Sequence, residues 1–316
     1  MMFLDYILTS VALGMTFLLG CTGEILTEKA GHLNLSIPGI MCIGGAFGCY
    51  AIKLSNGLPG ILVVHNGIVA AIIGGALMGG IYCFLTVTLK SNQNVTGLAM
   101  TIFGVGVTKY IMSGMAVGAY KNYLYALKFF RAPFSSASNG LKYWGIMMYL
   151  AIGIALAAAY MLNRTRIGLH LRAVGENPAT ADAVGINVTA YKYGATCIGS
   201  AVAGLGGLYY IMDYMGSMEA YKTIETLGWL SVALVIFTFW RPQISIIGSI
   251  IFGMLYLAGT RIPTLLGINL GMSATPLLQM LPYVVTIIVL IITSVGRKRE
   301  NQPPASLGLS YFREER

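Results

Sequence analysis

Residues Gly168–Gly185 read GLHLRAVGENPATADAVG, a polar stretch set between two runs apolar enough to cross a membrane. Its residue types carry the signals of a helix with both ends marked. Asn177 suits a helix cap, Pro178 the first helical position, Ala179 to Val184 are mostly good helix formers, and Gly185 can take the left-handed position past a helix end. The spacing predicts one short helix. A helix of about seven residues does not persist in water unaided, so it must be held by packing against the membrane-embedded part. Its position suggests a cytoplasmic coupling element that meets something else in the cytosol. The same spacing also fits an ordinary solvated connector, and complete start and stop signals do not by themselves separate the two.

Outward from this stretch the chain is overwhelmingly apolar. Hydrophobic residues make up 56% of 316 positions and charged residues 10%, well outside the range of soluble domains. The uncharged runs are Tyr6 to Gly23, Ala30 to Ile52, Leu54 to Leu89, Ser91 to Thr108, Tyr143 to Asn163, Tyr193 to Met212, Thr226 to Trp240, Pro242 to Thr260 and Ile262 to Gly296. With about 20 apolar residues needed per crossing, they predict an all-α polytopic bundle of about nine spans, between eight and ten. Thr226 to Trp240 is short and needs help from its neighbours or a thinner bilayer. One transmembrane domain over residues 1–300, with a loop at 164–190 and a tail at 301–316, accounts for the chain.

The net charge of +9 does not point to nucleic acid, because Lys and Arg cluster at the ends of apolar runs. Placing Arg164, Arg166, Arg172 and Arg297 to Arg299 on the inner side satisfies the positive-inside bias, with the N-terminus out and the C-terminus in a plasma membrane. Lys121, Lys128, Arg131 and Lys142 then lie outside, in a loop from Ala119 to Lys142 whose Tyr and Phe residues suit a membrane interface or an extracytoplasmic partner. The N-terminus lacks a basic n-region and cleavage site, so the first run reads as a retained span. All five cysteines fall in apolar runs without metal or redox spacing and read as small packing residues.

Forty glycines suit helices that approach closely in lipid. Gly44 with Gly48, Gly75 with Gly79, Gly114 with Gly118, and Gly199 with Ala203 and Gly207 mark helix-contact faces, in this chain or against another. Enzyme signatures do not appear. The three histidines are scattered, with no HExxH pair or GxSxG elbow, and no GxxxxGK[ST] phosphate loop occurs, so any ATP is bound by another chain. His65 reads as a hydrogen-bonded packing residue. In GHLNLSIPGIMCIGG, Gly31 to Gly45, the residues Asn34, Ser36, Pro38 and Gly39 fall where a helix starts or breaks. Irregular backbone at membrane depth needs protein or a water-filled cavity around it, and broken helices build transporter sites. Asn92 to Gly97, including Asn94 and Thr96, form a second polar cluster. Each also fits a capped helix end at the interface. Lys109 is either a snorkelling residue or a charge on the path.

Together these segments resemble the permease subunits of bacterial ABC importers of the ribose and branched-chain amino-acid permease superfamily, particularly the nucleoside and simple-sugar subgroup. The likeness covers nearly the whole chain and rests on GEILTEKAGHLNLSIPGIM (Gly23 to Met41), LRAVGENPATADAVGI (Leu171 to Ile186), SAVAGLGGLYY (Ser200 to Tyr210), LLQMLPYVVTIIVLI (Leu277 to Ile291) and the ending PPASLGLSYFREER. Ser310 stands where the subgroup's ending has proline, Ser36 where its motif has glycine, and FTFWR at Phe237 to Arg241 where relatives tend to have FGxWxP.

The resemblance implies that Arg172, Gly175, Glu176, Asn177, Pro178, Ala181 and Gly185 form the loop that transmits ATPase closure. Asn34, Leu35, Ser36, Pro38 and Gly39 match an interrupted segment near the translocation path, joined by Asn94 and Thr96. It further implies a separate ATP-binding subunit that uses ATP and magnesium, a second permease chain, an extracytoplasmic substrate-binding lipoprotein and a small-molecule solute. This chain itself binds no cofactor or metal and does no chemistry. A branched-chain amino-acid permease shares these features except for the ending. An ATP-independent channel or carrier would call for intramembrane acidic residues.

Overall fold

The computed structural model describes residues 2–55, 57–115, 144–266, 277–278, 280–296 and 302–312. The loop from Ala119 to Lys142, Gly118 and the basic residues at 297–299 lie outside them. The described elements are α1 (Met2–Glu28), α2 (Ile37–Leu54), α3 (Gly60–Cys83), α4 (Gln93–Ser113), α5 (Ile146–Arg164), α6 (Arg166–Glu176), α7 (Pro178–Ala183), α8 (Val188–Tyr209), α9 (Ile224–Phe237), α10 (Pro242–Leu266) and α11 (Leu281–Gly296).

Among the described residues eight helices are long and apolar enough to cross a membrane, with Leu281–Ile292 as a shorter apolar helix, close to the about nine expected. The second span starts only at Ile37, because polar residues from His32 to Ser36 break the apolar run before it. The short seventh run is lengthened from its N-terminal side: a 3₁₀ turn at Met218–Thr223 precedes α9, giving a continuous Met218–Phe237. Two helices end by widening: α3 runs into a π turn at Phe84–Thr88 and α8 into another at Tyr210–Met215.

The central helix is α8, which packs against α1, α2 and α3. In lipid no hydrophobic effect drives helices together, so close backbone approach and van der Waals contact carry the association. A Cβ on Gly207 would lie 1.9 Å from the Met41 carbonyl oxygen, one on Gly44 2.3 Å from Gly204 Cα, and one on Gly75 2.3 Å from the Ser200 carbonyl oxygen. The glycine stripes on α2, α3 and α8 thus serve contacts within this chain. The Tyr209 hydroxyl adds a 2.7 Å hydrogen bond to the Ala12 carbonyl. Cys21, Cys42, Cys49 and Cys83 are buried free thiols among these helices, and Cys197 is half-buried.

Candidate functional site: the coupling segment and its junction

The polar stretch folds as two helices, where the sequence predicts one. The Thr165 hydroxyl accepts from the Gly168 amide at 3.2 Å and starts α6, directly after α5. A Cβ on Gly168 would stand 2.1 Å from the Met161 carbonyl oxygen, so the tight fold-back from α5 needs glycine there. Along α6, Leu171 and Val174 turn inward and are buried, whereas Ile167 and Leu169 are exposed. The second helix matches its signals: Asn177 Oδ1 accepts from the Thr180 amide at 3.0 Å, Pro178 takes the first turn, and Gly185 has φ +85°. Val174, Ala181 and Val188 form a small apolar cluster beneath it, which supplies the packing that six residues cannot provide alone.

The residues assigned to coupling divide by exposure. Gly175 and Ala181 are buried, Arg172 and Pro178 half-buried, and Glu176, Asn177 and Gly185 exposed. Gly175 is the junction. A Cβ there would lie 2.2 Å from the Lys29 carbonyl oxygen, and its own carbonyl accepts from the Ser306 amide at 3.1 Å and the Ser306 hydroxyl at 2.5 Å. Gly31, at φ +71°, faces both partners, with Gly175 Cα 3.2 Å from its would-be Cβ. Three stretches distant in sequence, namely the α1–α2 loop, the end of α6 and the segment after α11, therefore meet at one point. Tyr311 extends the docking by donating to Asp182 Oδ2 at 2.8 Å. Burial pushes the Lys29 ammonium below the usual lysine range, although Glu176 opposes the shift.

The loop that touches Gly175 leads directly into Asn34–Gly39. Asn34 and Ser36 are fully buried. The Asn34 amide donates to Glu24 Oε1 at 3.1 Å, and Asn34 Oδ1 accepts from the Ser36 amide at 3.0 Å and from its hydroxyl. Leu35 is held from α4: the Thr101 hydroxyl donates to its carbonyl at 2.8 Å, and Gly97 abuts its backbone. Pro38 and Gly39 pack on the glycine backbones of Gly228 and Gly104. The segment is the buried break between α1 and α2. Asn94 is exposed in the first turn of α4, where its amide donates to Asn92 Oδ1 at 3.0 Å, and the Thr96 hydroxyl pairs with Ser91 at 2.9 Å. Neither makes a described hydrogen bond to Asn34–Gly39.

Sequence reasoning missed the buried polar groups around this break. Glu24, Glu28 and Asp213 are buried although they stand near span ends, and the Trp240 indole donates to Glu28. His65 is exposed, whereas His32 is the packed histidine: its ring nitrogens bond Thr196 at 2.9 Å and Thr86 at 2.8 Å. Lys109 stands exposed on α4.

Burial, aided by nearby Lys192, pulls the His32 imidazole down from 6.5 to about 3. The unfolded chain takes up this proton below pH 6.5 and the folded chain does not, so stability falls as pH drops from that value toward 3. At pH 5 the loss relative to pH 7 is about 2 kcal/mol. The melting temperature of the wild type is expected to fall more between pH 7 and 5 than that of His32→Gln, which keeps amide groups for both threonines but does not titrate. Equal falls would refute this.

A bundle of membrane-crossing helices with a packed polar segment fastened to one end has the architecture of a membrane permease component. The family described as branched-chain amino acid transport system / permease component matches residues 6–292, and the chain belongs to it. Nucleoside ABC transporter permease protein NupC of Lactococcus lactis subsp. cremoris is 31% identical, over 85% of this chain and 85% of its own length. Guanosine ABC transporter permease protein NupQ of Bacillus subtilis is 27% identical over 95% and 93% of the two chains. Glucose ABC transporter permease protein TsgB13 of Haloferax volcanii is 23% identical over 77% and 66%.

Proposed function

We propose that this chain is the membrane-spanning permease subunit of an ATP-driven importer for nucleosides or simple sugars. The observation that carries the mechanism is the junction at Gly175, where the coupling segment contacts the Lys29–Gly31 loop that continues into Asn34–Gly39. A partner ATPase that moves α6 and α7 on closing displaces this loop, and with it the start of α2 and the buried path segment. Glu176, Asn177 and Gly185 are exposed to meet the ATPase, while Gly175 and Ala181 hold the element to the bundle. Coupling requires only that ATPase closure bind the outward- and inward-facing arrangements with different affinity.

In this reading the chain lies in the bacterial plasma membrane with its C-terminal side and α6–α7 in the cytoplasm. It pairs with a second permease chain and receives solute from an extracytoplasmic binding lipoprotein. The permease does no chemistry; ATP and magnesium belong to the ATPase. The similarity of permeases named for nucleosides, guanosine and glucose supports the solute class.

The test is co-purification with the ATPase and permease encoded beside it, then ATP-dependent uptake of labelled guanosine, ribose and leucine in proteoliposomes with the cognate binding protein. Guanosine or ribose uptake is the expected result. Uptake of leucine alone would transfer the chain to the amino-acid branch, and uptake by this chain without an ATPase would overturn the importer reading.

A further inference from the structure

A cavity of about 450 Å³ opens between the end of α3, the C-terminal side of α7, the start of α8 and the segment after α11. This is within the size range of small-ligand sites. Its walls include Lys192, a residue only 3% exposed. Among the described residues no hydrogen bond or ion pair reaches the Lys192 ammonium, which is the accessible end of this otherwise buried side chain in the cavity wall. The other cationic wall residue is Lys90, whose ammonium sits 4.3 Å from the centre of the Phe312 ring.

The start of α8 adds donors. Asn187 caps the helix by accepting from the Ala190 amide at 2.9 Å. Val188 and Thr189, the first two residues of this 22-residue helix, line the cavity, and amides at such positions have no carbonyl one turn earlier to bond. Helix N-termini of this kind favour oxyanions. Thr86 and Thr189 are also in the wall, although the Thr86 hydroxyl is taken by the Tyr82 carbonyl at 2.7 Å and the His32 ring at 2.8 Å. The acidic wall residue, Asp182, is engaged by the Tyr311 hydroxyl.

We infer that this cavity is an oxyanion site for a phosphate group, with Lys192 as the counter-charge and the α8 N-terminus as the source of hydrogen-bond donors. The inference stands apart from solute transport and rests on no partner subunit. The phosphate is carried either by a soluble molecule or by an anionic lipid headgroup. Because Ser310 and Tyr311 line the same cavity as Asp182 and Gly185, an occupant touches both the docked segment and the coupling helix and fastens one to the other.

The full chain, purified as it occurs, is tested in two arms: equilibrium dialysis with labelled inorganic phosphate at constant ionic strength, and native mass spectrometry of lipid retained from phosphatidylglycerol against phosphatidylcholine mixtures. Lys192→Met and Lys192→Arg are compared with wild type, and their melting temperatures without added anion establish that each is folded. Phosphate binding at least tenfold weaker in Lys192→Met, and kept in Lys192→Arg, supports a soluble ligand. Lys192-dependent retention of phosphatidylglycerol without phosphate binding supports a headgroup. Neither response, or a response unchanged in folded Lys192→Met, overturns the site. Binding that emerges only after removal of Arg313–Arg316 also overturns it, because the lysine would then belong to the chain's own Glu314 or Glu315. If Lys192→Met does not fold, Lys192→Gln takes its place: the same tenfold loss is expected, and unchanged binding refutes the inference.

Discussion

Gly207→Ala is expected to reduce the yield of folded chain several-fold and to lower its melting temperature, as measured by size-exclusion chromatography and thermal unfolding in detergent. The added methyl carbon would stand 1.9 Å from the Met41 carbonyl oxygen. That neighbour is backbone, so no side-chain rotation relieves the overlap; α2 and α8 must separate. Overpacking of this kind costs about 1–3 kcal/mol, occasionally more. Separation also forfeits the van der Waals contacts that hold helices together in lipid. Gly194→Ala is the control on the same helix, since its Cβ would meet nothing within 4 Å. Matching behaviour of the two variants would show that the α2–α8 approach does not limit stability.

The second large effect is expected at Gly175. Gly175→Ala places a Cβ 2.2 Å from the Lys29 carbonyl oxygen and drives the end of α6 away from the α1–α2 loop. Uptake per ATP hydrolysed should fall at least tenfold in proteoliposomes, while the chain still inserts and purifies. Gly106→Ala, whose Cβ would enter open space, should transport as wild type. A wild-type ratio of uptake to hydrolysis in Gly175→Ala would remove the junction from the transmission of force. Because Gly175 is also a packing residue, the melting temperature of Gly175→Ala is measured beside the ratio: uncoupling in protein that still melts as a folded chain belongs to the junction, whereas loss of uptake and hydrolysis together belongs to packing.

How much of the molecule was legible in the sequence followed the range of the signals. The helix at Pro178–Ala183 was readable because its cap, its proline and its terminal glycine lie within a single short stretch. The preceding α6 was not, because its start depends on Thr165, outside the polar stretch, and its inward face shows only Leu171 and Val174. The spans were readable from apolar length, but their starts were not: the run from Ala30 is broken by His32, Asn34 and Ser36, all buried, with His32 held by Thr196 and Thr86, the Asn34 amide by Glu24, and Ser36 by Asn34. Glu24 and Glu28, near the end of the first span in the sequence, are buried as well. Their burial is set by Asn34 and Trp240, partners that no local pattern announces. His65, read as a packing residue, is exposed on α3, and the packed histidine is His32, whose partners Thr196 and Thr86 lie on segments distant in sequence.

Of the site, the residues proposed for coupling were named by resemblance, and their division into buried and exposed emerged only with the fold. Nothing in the spacing of Gly31, Gly175 and Ser306 indicates that they touch, and Asn94, though polar and close to Gly97, stands apart from the buried segment that Gly97 supports.

The contact between Gly175 and Ser306 spans 131 positions, and Ser306 lies beyond α11 in the chain. During synthesis α6 and α7 therefore emerge and fold well before the residue that clamps them has been made. Long-range contacts of this kind form late in folding. The coupling segment is consequently fixed only after all the described spans have been translated, and an ATPase that recognises the clamped arrangement would engage finished permeases in preference to nascent ones.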